Sequence, residues 1–205
     1  QQKVKSQIEP HKIISSISQA VDVSKQNSPM NSLKIFVFPT FSKFVKTKMF
    51  GVTGFTPYTA VIHIYIHPQT TNIQAIKNTV AHEYSHAFRL KYQRWNTLLD
   101  SLIFEGIAEH FKETIFPGKI SPWAAALKKR EAKKYFQRLS GKLRSLDPGL
   151  YKQIFFGNKE FPLWAGYSIG YHLVESFILT HPGLSLKKMM TLPSDYILNK
   201  SGLLE

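Results

Sequence analysis

Two histidines and a glutamate stand at a spacing that chemistry can use. In Ala81-His-Glu-Tyr-Ser-His-Ala87 the imidazoles of His82 and His86 are four residues apart, and Glu83 follows the first of them. On a helix, positions four apart share a face, so two ring nitrogens can reach one metal ion while Glu83 stands beside it. A metal held in this way suits hydrolysis, because it activates a water whose proton the neighbouring carboxylate can take. Zinc fits this donor set, and one Zn2+ per chain is the expectation. Rival nucleophiles are few: the chain has no Cys and no Gly-x-Ser-x-Gly elbow. Ser85, at an x position of the motif, should point away from the metal face.

A catalytic zinc commonly takes three protein ligands and keeps its fourth position for water. In the stretch Leu98 to Phe111, Glu105 follows His86 after 18 intervening residues. Two helices joined by a short connection pack as an antiparallel hairpin, which would bring Glu105 within reach of the His pair. His110 lies on another helical face and is read as a surface residue. Glu109, one turn beyond Glu105, is either a carboxylate that accepts the free N–H of His82 or His86 and fixes its tautomer, or an ordinary solvated glutamate.

The elements that must hold these groups are legible in the apolar spacing. Ile73, Ile76, Val80, Tyr84, Ala87 and Phe88 recur at intervals of three and four, so a helix runs from Ile73 to about Tyr92 with Asn72 as its N-cap. Leu98, Leu102, Ile103, Ile107, Ala108 and Phe111 mark a second helix, and Tyr167 to Leu179 a third. Ahead of them, Thr59 to His67 is strongly β-prone, and the Gly and Pro of Gly51-Val-Thr-Gly-Phe-Thr-Pro57 mark turns. His63 and His67 share a strand face about 13 Å apart by the rise per residue and are read as non-ligands. An amphipathic helix around Ile13 to Val23, a short strand Leu33 to Phe38 and an ambiguous stretch Phe41 to Met49 precede these. Gly141 to Phe161 reads as loop, a candidate lid, and Pro182 to Glu205 as a short helix and tail.

The order of two His at i and i+4, 18 residues, then Glu in a Glu105-Gly-Ile-Ala108 segment resembles the gluzincin metallopeptidases, in particular the aminopeptidase N and leukotriene hydrolase group. More of the chain, from about residue 50 to 190, resembles the YjaZ-like family of predicted zinc-dependent proteases, through AHEYSHAFR, LLDSLIFEGIAEHF, PWAAAL and WAGYSIGY. The resemblance implies a zinc peptidase with a peptide or protein substrate and an α+β, zincin-like fold. That fold has a small N-terminal sheet with an edge strand just before the zinc helix, and a mainly helical C-terminal part. It implies an extended peptide paired with that strand, here at Ala60, Val61, Ile62 and His63. It also implies an oxyanion donor from a Tyr-x-x-Gly segment, matched by Tyr167-Ser-Ile-Gly170. Tyr171 shares the face of Tyr167 and is assigned to the substrate side; Tyr171 and His172 stay open as rival donors. The aminopeptidase signature Gly-x-Met-Glu-Asn is not matched by Gly51-Val-Thr-Gly54, which favours an endopeptidase or an unknown specificity.

Composition bounds the rest. The chain of 205 residues, 43% hydrophobic, reads as one metallopeptidase domain, with helix plus small sheet over 1–70 and a mainly helical zinc-binding part over 71–205. A net charge of +14 asks for a partner. Residues 119–144 hold nine basic side chains against Glu131, which reads as an amphipathic basic helix starting near Pro122. Such a face suits an anionic membrane or cell-wall surface; no nucleic-acid module is recognised, and a monomer is expected. The sequence starts at Gln1 without Met, which reads as a trimmed chain and leaves room for a leader or anchor ahead of it; export is preferred over cytoplasm. The rival reading is a non-catalytic basic protein that attaches to surfaces and keeps a structural zinc.

Overall fold

The computed structural model describes residues 5–202 and is α+β, mostly helical, with one small sheet. The chain forms two compact units, Gln1–Lys91 and Tyr92–Glu205.

In the first unit, helix α1 (Pro10–Asn27) leads to strand β1 (Lys34–Pro39), the short helix α2 (Lys43–Lys48), strands β2 (Val52–Tyr58) and β3 (Val61–Ile66), and helix α3 (Ile73–Arg89). Asn72 caps α3 by accepting from the Ala75 N–H, as expected of an Asn at that position. The apolar stripe of α3 is buried at Ile76, Val80, Tyr84, Ala87 and Phe88. Tyr84 donates its hydroxyl to the Ser28 carbonyl just past α1, and burial pushes that phenol up to about 12.

The sheet corrects one expectation. Its order is β1-β3-β2, with β1 parallel and β2 antiparallel to β3. The strand before α3 is therefore central, not an edge. Its ladder groups are taken on both sides, and Ile62 is fully buried, so Ala60, Val61, Ile62 and His63 cannot add a peptide strand there. Ile62, Ile64 and Ile66 alternate inward, while His63 lies among Phe36, Phe38, Phe55 and Tyr65 on the other face. The second correction is β2 itself. Gly51 to Pro57 reads as turns because Gly and Pro punctuate it, yet it is an outer strand. Pro57 is tolerated there because the register is irregular between Phe55 and Tyr58 and the strand is at the edge.

The second unit is built on α4 (Leu98–Ile115), α5 (Lys129–Arg138), α6 (Pro148–Phe156), α7 (Ala165–Thr180), α8 (Leu186–Met189) and α9 (Ser194–Lys200). Thr97 and Asp100 form a capping box at the start of α4, and the Leu143 and Ser145 carbonyls take two more first-turn N–H groups. Burial acts to raise the Asp100 pKa, but hydrogen bonds from Ser194, Thr97 and Asn96 hold it below the usual carboxylate range.

Helices α4 and α7 cross closely because each brings a glycine. A Cβ on Gly106 would meet the Gly170 carbonyl oxygen at 2.2 Å, and one on Gly170 would meet that of Leu102 at 2.1 Å. These are the glycines that follow Glu105 and close Tyr167-x-x-Gly. The basic helix is shorter than its charge pattern. From Ser121 to Leu127 the backbone turns instead, since the Ser168 hydroxyl binds the Trp123 and Ala124 carbonyls and accepts from the Leu127 N–H. The stretch read as loop contains α6, because Asp147 caps it and Pro148 stands at N1, where Pro starts a helix rather than ending one.

Candidate metal centre

On α3 the helical spacing does what was expected of it. His82 Nε2 and His86 Nε2 lie 3.0 Å apart, with their rings nearly perpendicular at 4.7 Å between centroids. Two imidazole nitrogens this close can share one ligand. A tetrahedral zinc with bonds of about 2.1 Å would separate such donors by roughly 3.4 Å. Among the described residues, one group of His and acidic side chains could hold a metal ion. It is His82, His86 and Glu105, whose ligand atoms all lie within 4.8 Å of one another. Nitrogen, nitrogen and carboxylate oxygen are a donor set that zinc accepts. His63, His67 and His110 are not part of it.

Glu83 is 6% exposed and is held from strand β2. Thr56 donates its hydroxyl to Glu83 Oε2 at 2.7 Å, and the Thr56 oxygen also lies 3.2 Å from the Glu83 carbonyl. Neither Thr56 nor Gly54, which also lies against Glu83, stands out in the sequence. The available signal is a Gly and a Thr two apart, which becomes informative only once the segment is known to be a strand.

On α4 every position from Ser101 to Glu109 is buried, and a buried carboxylate needs partners. Glu109 has them: its Oε1 accepts from the Trp123 indole at 2.6 Å, and its Oε2 lies 3.1 Å from Lys112 Nζ. Lys112, only 3% exposed, also donates to Ser121. An ordinary solvated glutamate is thus excluded at position 109.

His110 is a correction. It is half-buried rather than a surface residue, stacks on the Tyr171 ring at 4.3 Å and reaches the Tyr171 carbonyl through Nε2. Burial drives its pKa below the ordinary histidine value, against the raising effects of that bond and of nearby carboxylates.

The three candidates on α7 separate. Tyr171 is 5% exposed and donates to Glu113 Oε2 at 3.1 Å. Burial, then the Glu113 charge, raises its pKa. A buried phenol already donating to a carboxylate is not placed to bind substrate, which corrects that assignment. His172 is engaged through both nitrogens, by Glu175 and the Leu127 carbonyl. Tyr167 is half-buried at the first turn of α7, its ring edge-on to Phe155.

Comparison with known proteins adds to this geometry. A family model described as "Predicted Zn-dependent protease (DUF2268)" matches residues 13–199. The chain is 25% identical to the uncharacterized protein YjfC of Bacillus subtilis (strain 168) over 168 residues, which cover 75% of this chain and 56% of that protein. It is 26% identical to the uncharacterized protein YjaZ of the same organism over 132 residues, 61% of this chain and 50% of that protein. The chain spans about half the length of the curated relatives it matches. No solved structure matches it.

Proposed function

We propose, from the premise that this chain belongs to the family of predicted Zn-dependent proteases, that it is a zinc-dependent metallopeptidase. In this reading His82, His86 and Glu105 hold one zinc ion and Glu83 is the general base. The observation that carries it is the donor group, three side chains of the right types with ligand atoms within 4.8 Å. The fold we infer is zincin-like and of the gluzincin kind, on the strength of the two His, the spacing to Glu105 and the small sheet ahead of the metal-binding helix.

When held by His82, His86 and Glu105, zinc would supply Lewis acidity and make a water more acidic. Glu83 accepts the proton of the attacking water and passes it to the leaving amine. Tyr167 donates its O–H to the oxygen on which negative charge develops. Glu109, held by Trp123 and Lys112, orients one of the His ligands through its ring N–H. The extended peptide pairs with the outer edge of β2, the strand that already touches Glu83, rather than with β3.

The test is metal analysis paired with turnover of a pool of fluorogenic peptides. Wild-type protein is expected to bind one zinc and cleave; Glu83→Gln to keep the zinc and lose cleavage; Glu105→Ala to lose the zinc. One zinc per chain without cleavage of any peptide would instead favour the non-catalytic, surface-binding protein with a structural metal. Full zinc occupancy in Glu105→Ala would overturn the ligand assignment.

A further inference from the structure

Side chains of a strand alternate, so Val52, Gly54 and Thr56 of β2 share the face turned to α3. A strand face packed on a helix ordinarily carries bulky apolar residues, as Ile62, Ile64 and Ile66 do on β3. At 54 and 56 the chain departs from that rule, and both departures meet the same side chain. A Cβ on Gly54 would lie 2.3 Å from Glu83 Cγ and 2.5 Å from its Oε1, so any larger residue would occupy the space the carboxylate fills. Thr56, as buried as Glu83 at 6% exposure, places its hydroxyl 2.7 Å from Oε2.

We propose that Thr56 is a positioning residue for Glu83, and that Gly54 is the notch that admits the carboxylate so positioned. The proposal rests on Glu83 being the general base. A hydroxyl has one hydrogen, and a charged carboxylate oxygen is a stronger acceptor than the Glu83 carbonyl at 3.2 Å. The terminal torsion of a glutamate is broad, so without an anchor its carboxylate samples many orientations. With Oε2 fixed by Thr56, Oε1 is left to exchange protons with water and the leaving amine. Thr56 touches neither substrate nor metal in this role; it acts through Glu83.

The discriminating pair is Thr56→Val, which keeps the branched shape and removes the hydroxyl, and Thr56→Ser, which keeps the hydroxyl. With a fluorogenic peptide, Thr56→Val is expected to lower kcat by about ten- to a hundredfold, the scale of a misplaced catalytic group. KM, bound zinc and thermal midpoint should stay near wild type, and Thr56→Ser should recover kcat to within a few-fold. Wild-type kcat in Thr56→Val, or no recovery in Thr56→Ser, would reduce Thr56 to a packing residue. Crystal structures of the wild-type protein and Thr56→Val provide the second readout. The Glu83 carboxylate should stay against position 56 in the first and turn away in the second; an unmoved carboxylate overturns the proposal. If the wild-type protein cleaves no peptide, the peptidase reading fails while this second readout still decides the anchoring.

Discussion

A phenol that already donates to a carboxylate must break that bond before it can stabilise a developing alkoxide. Tyr171 is in that position, bound to Glu113 and stacked on His110; Tyr167 lies one turn away on α7, its ring against Phe155. With Tyr167 as the proposed oxyanion donor, Tyr167→Phe should lower kcat by about 10²- to 10³-fold, the loss typical of removing one such donor, with KM nearly unchanged. Tyr171→Phe should show its effect in the denaturation midpoint. Steady-state kinetics on both variants check this, and an intact kcat in Tyr167→Phe would remove the residue from the chemistry. Spacing within one helix can be read directly from the sequence, which is why His82, Glu83 and His86 are identifiable without the fold. Thr56, Gly54 and Trp123 are not, because their roles come from contacts 27, 29 and 14 residues away in the chain, with Glu83, Glu83 and Glu109. No local pattern encodes a partner at that distance.

At the scale of elements, the glycine pair of α4 and α7 ties the motif residues to the architecture. Gly106 follows Glu105 and Gly170 closes Tyr167-x-x-Gly, and the two meet where the helix backbones nearly touch. Adding a methyl to either forces the helices apart, since the obstacles are carbonyl oxygens rather than flexible side chains. Gly106→Ala and Gly170→Ala should each lose about 2–3 kcal/mol or more, the upper range for overpacking, and shift the urea midpoint accordingly. Gly118→Ala, where a Cβ meets nothing within 4 Å, is the control and should stay near wild type. An unshifted midpoint in Gly106→Ala would mean that the close crossing is not tight in solution. Long helices are legible in the sequence: α3, α4 and α7 lie where their apolar periods put them, α3 and α4 with side-chain caps and α7 without one. Strand β2 is not, because Gly54 and Pro57 carry the local signature of a turn and are kept in the strand by Glu83 and by the edge. The start of α5 and the presence of α6 escape a sequence reading for a related reason. Pro122 and Pro148 are chemically alike, and the Ser168 hydroxyl in one case and the Asp147 cap in the other decide whether the backbone beyond the proline turns or winds into a helix.

For the molecule as a whole, charge is the property that local geometry leaves unexplained. Both units are basic: the first carries 11 Lys and Arg against 3 acids, and the second 16 against 10. None of the described helices is long and apolar enough to cross a membrane. On α5, Ala132 and Phe136 are buried, while Lys129, Arg130 and Lys134 are exposed, so this helix turns its charge outward and keeps its apolar side inside. Attachment through such a face is electrostatic, worth about 1 kcal/mol per basic residue near an anionic surface, and screened within a Debye length of about 8 Å at physiological salt. The expected behaviour is co-sedimentation with phosphatidylglycerol-containing vesicles at low salt, release at about 0.5 M NaCl, and no binding to pure phosphatidylcholine. Replacing Arg130 and Lys134 by Glu should weaken binding several-fold and leave zinc content and peptide turnover intact, because neither residue belongs to the metal centre. If the double variant binds as tightly as wild type, α5 is a solvated face and the attraction arises from the basic balance of the chain as a whole. If the wild-type protein ignores anionic vesicles altogether, attachment to an anionic surface is overturned.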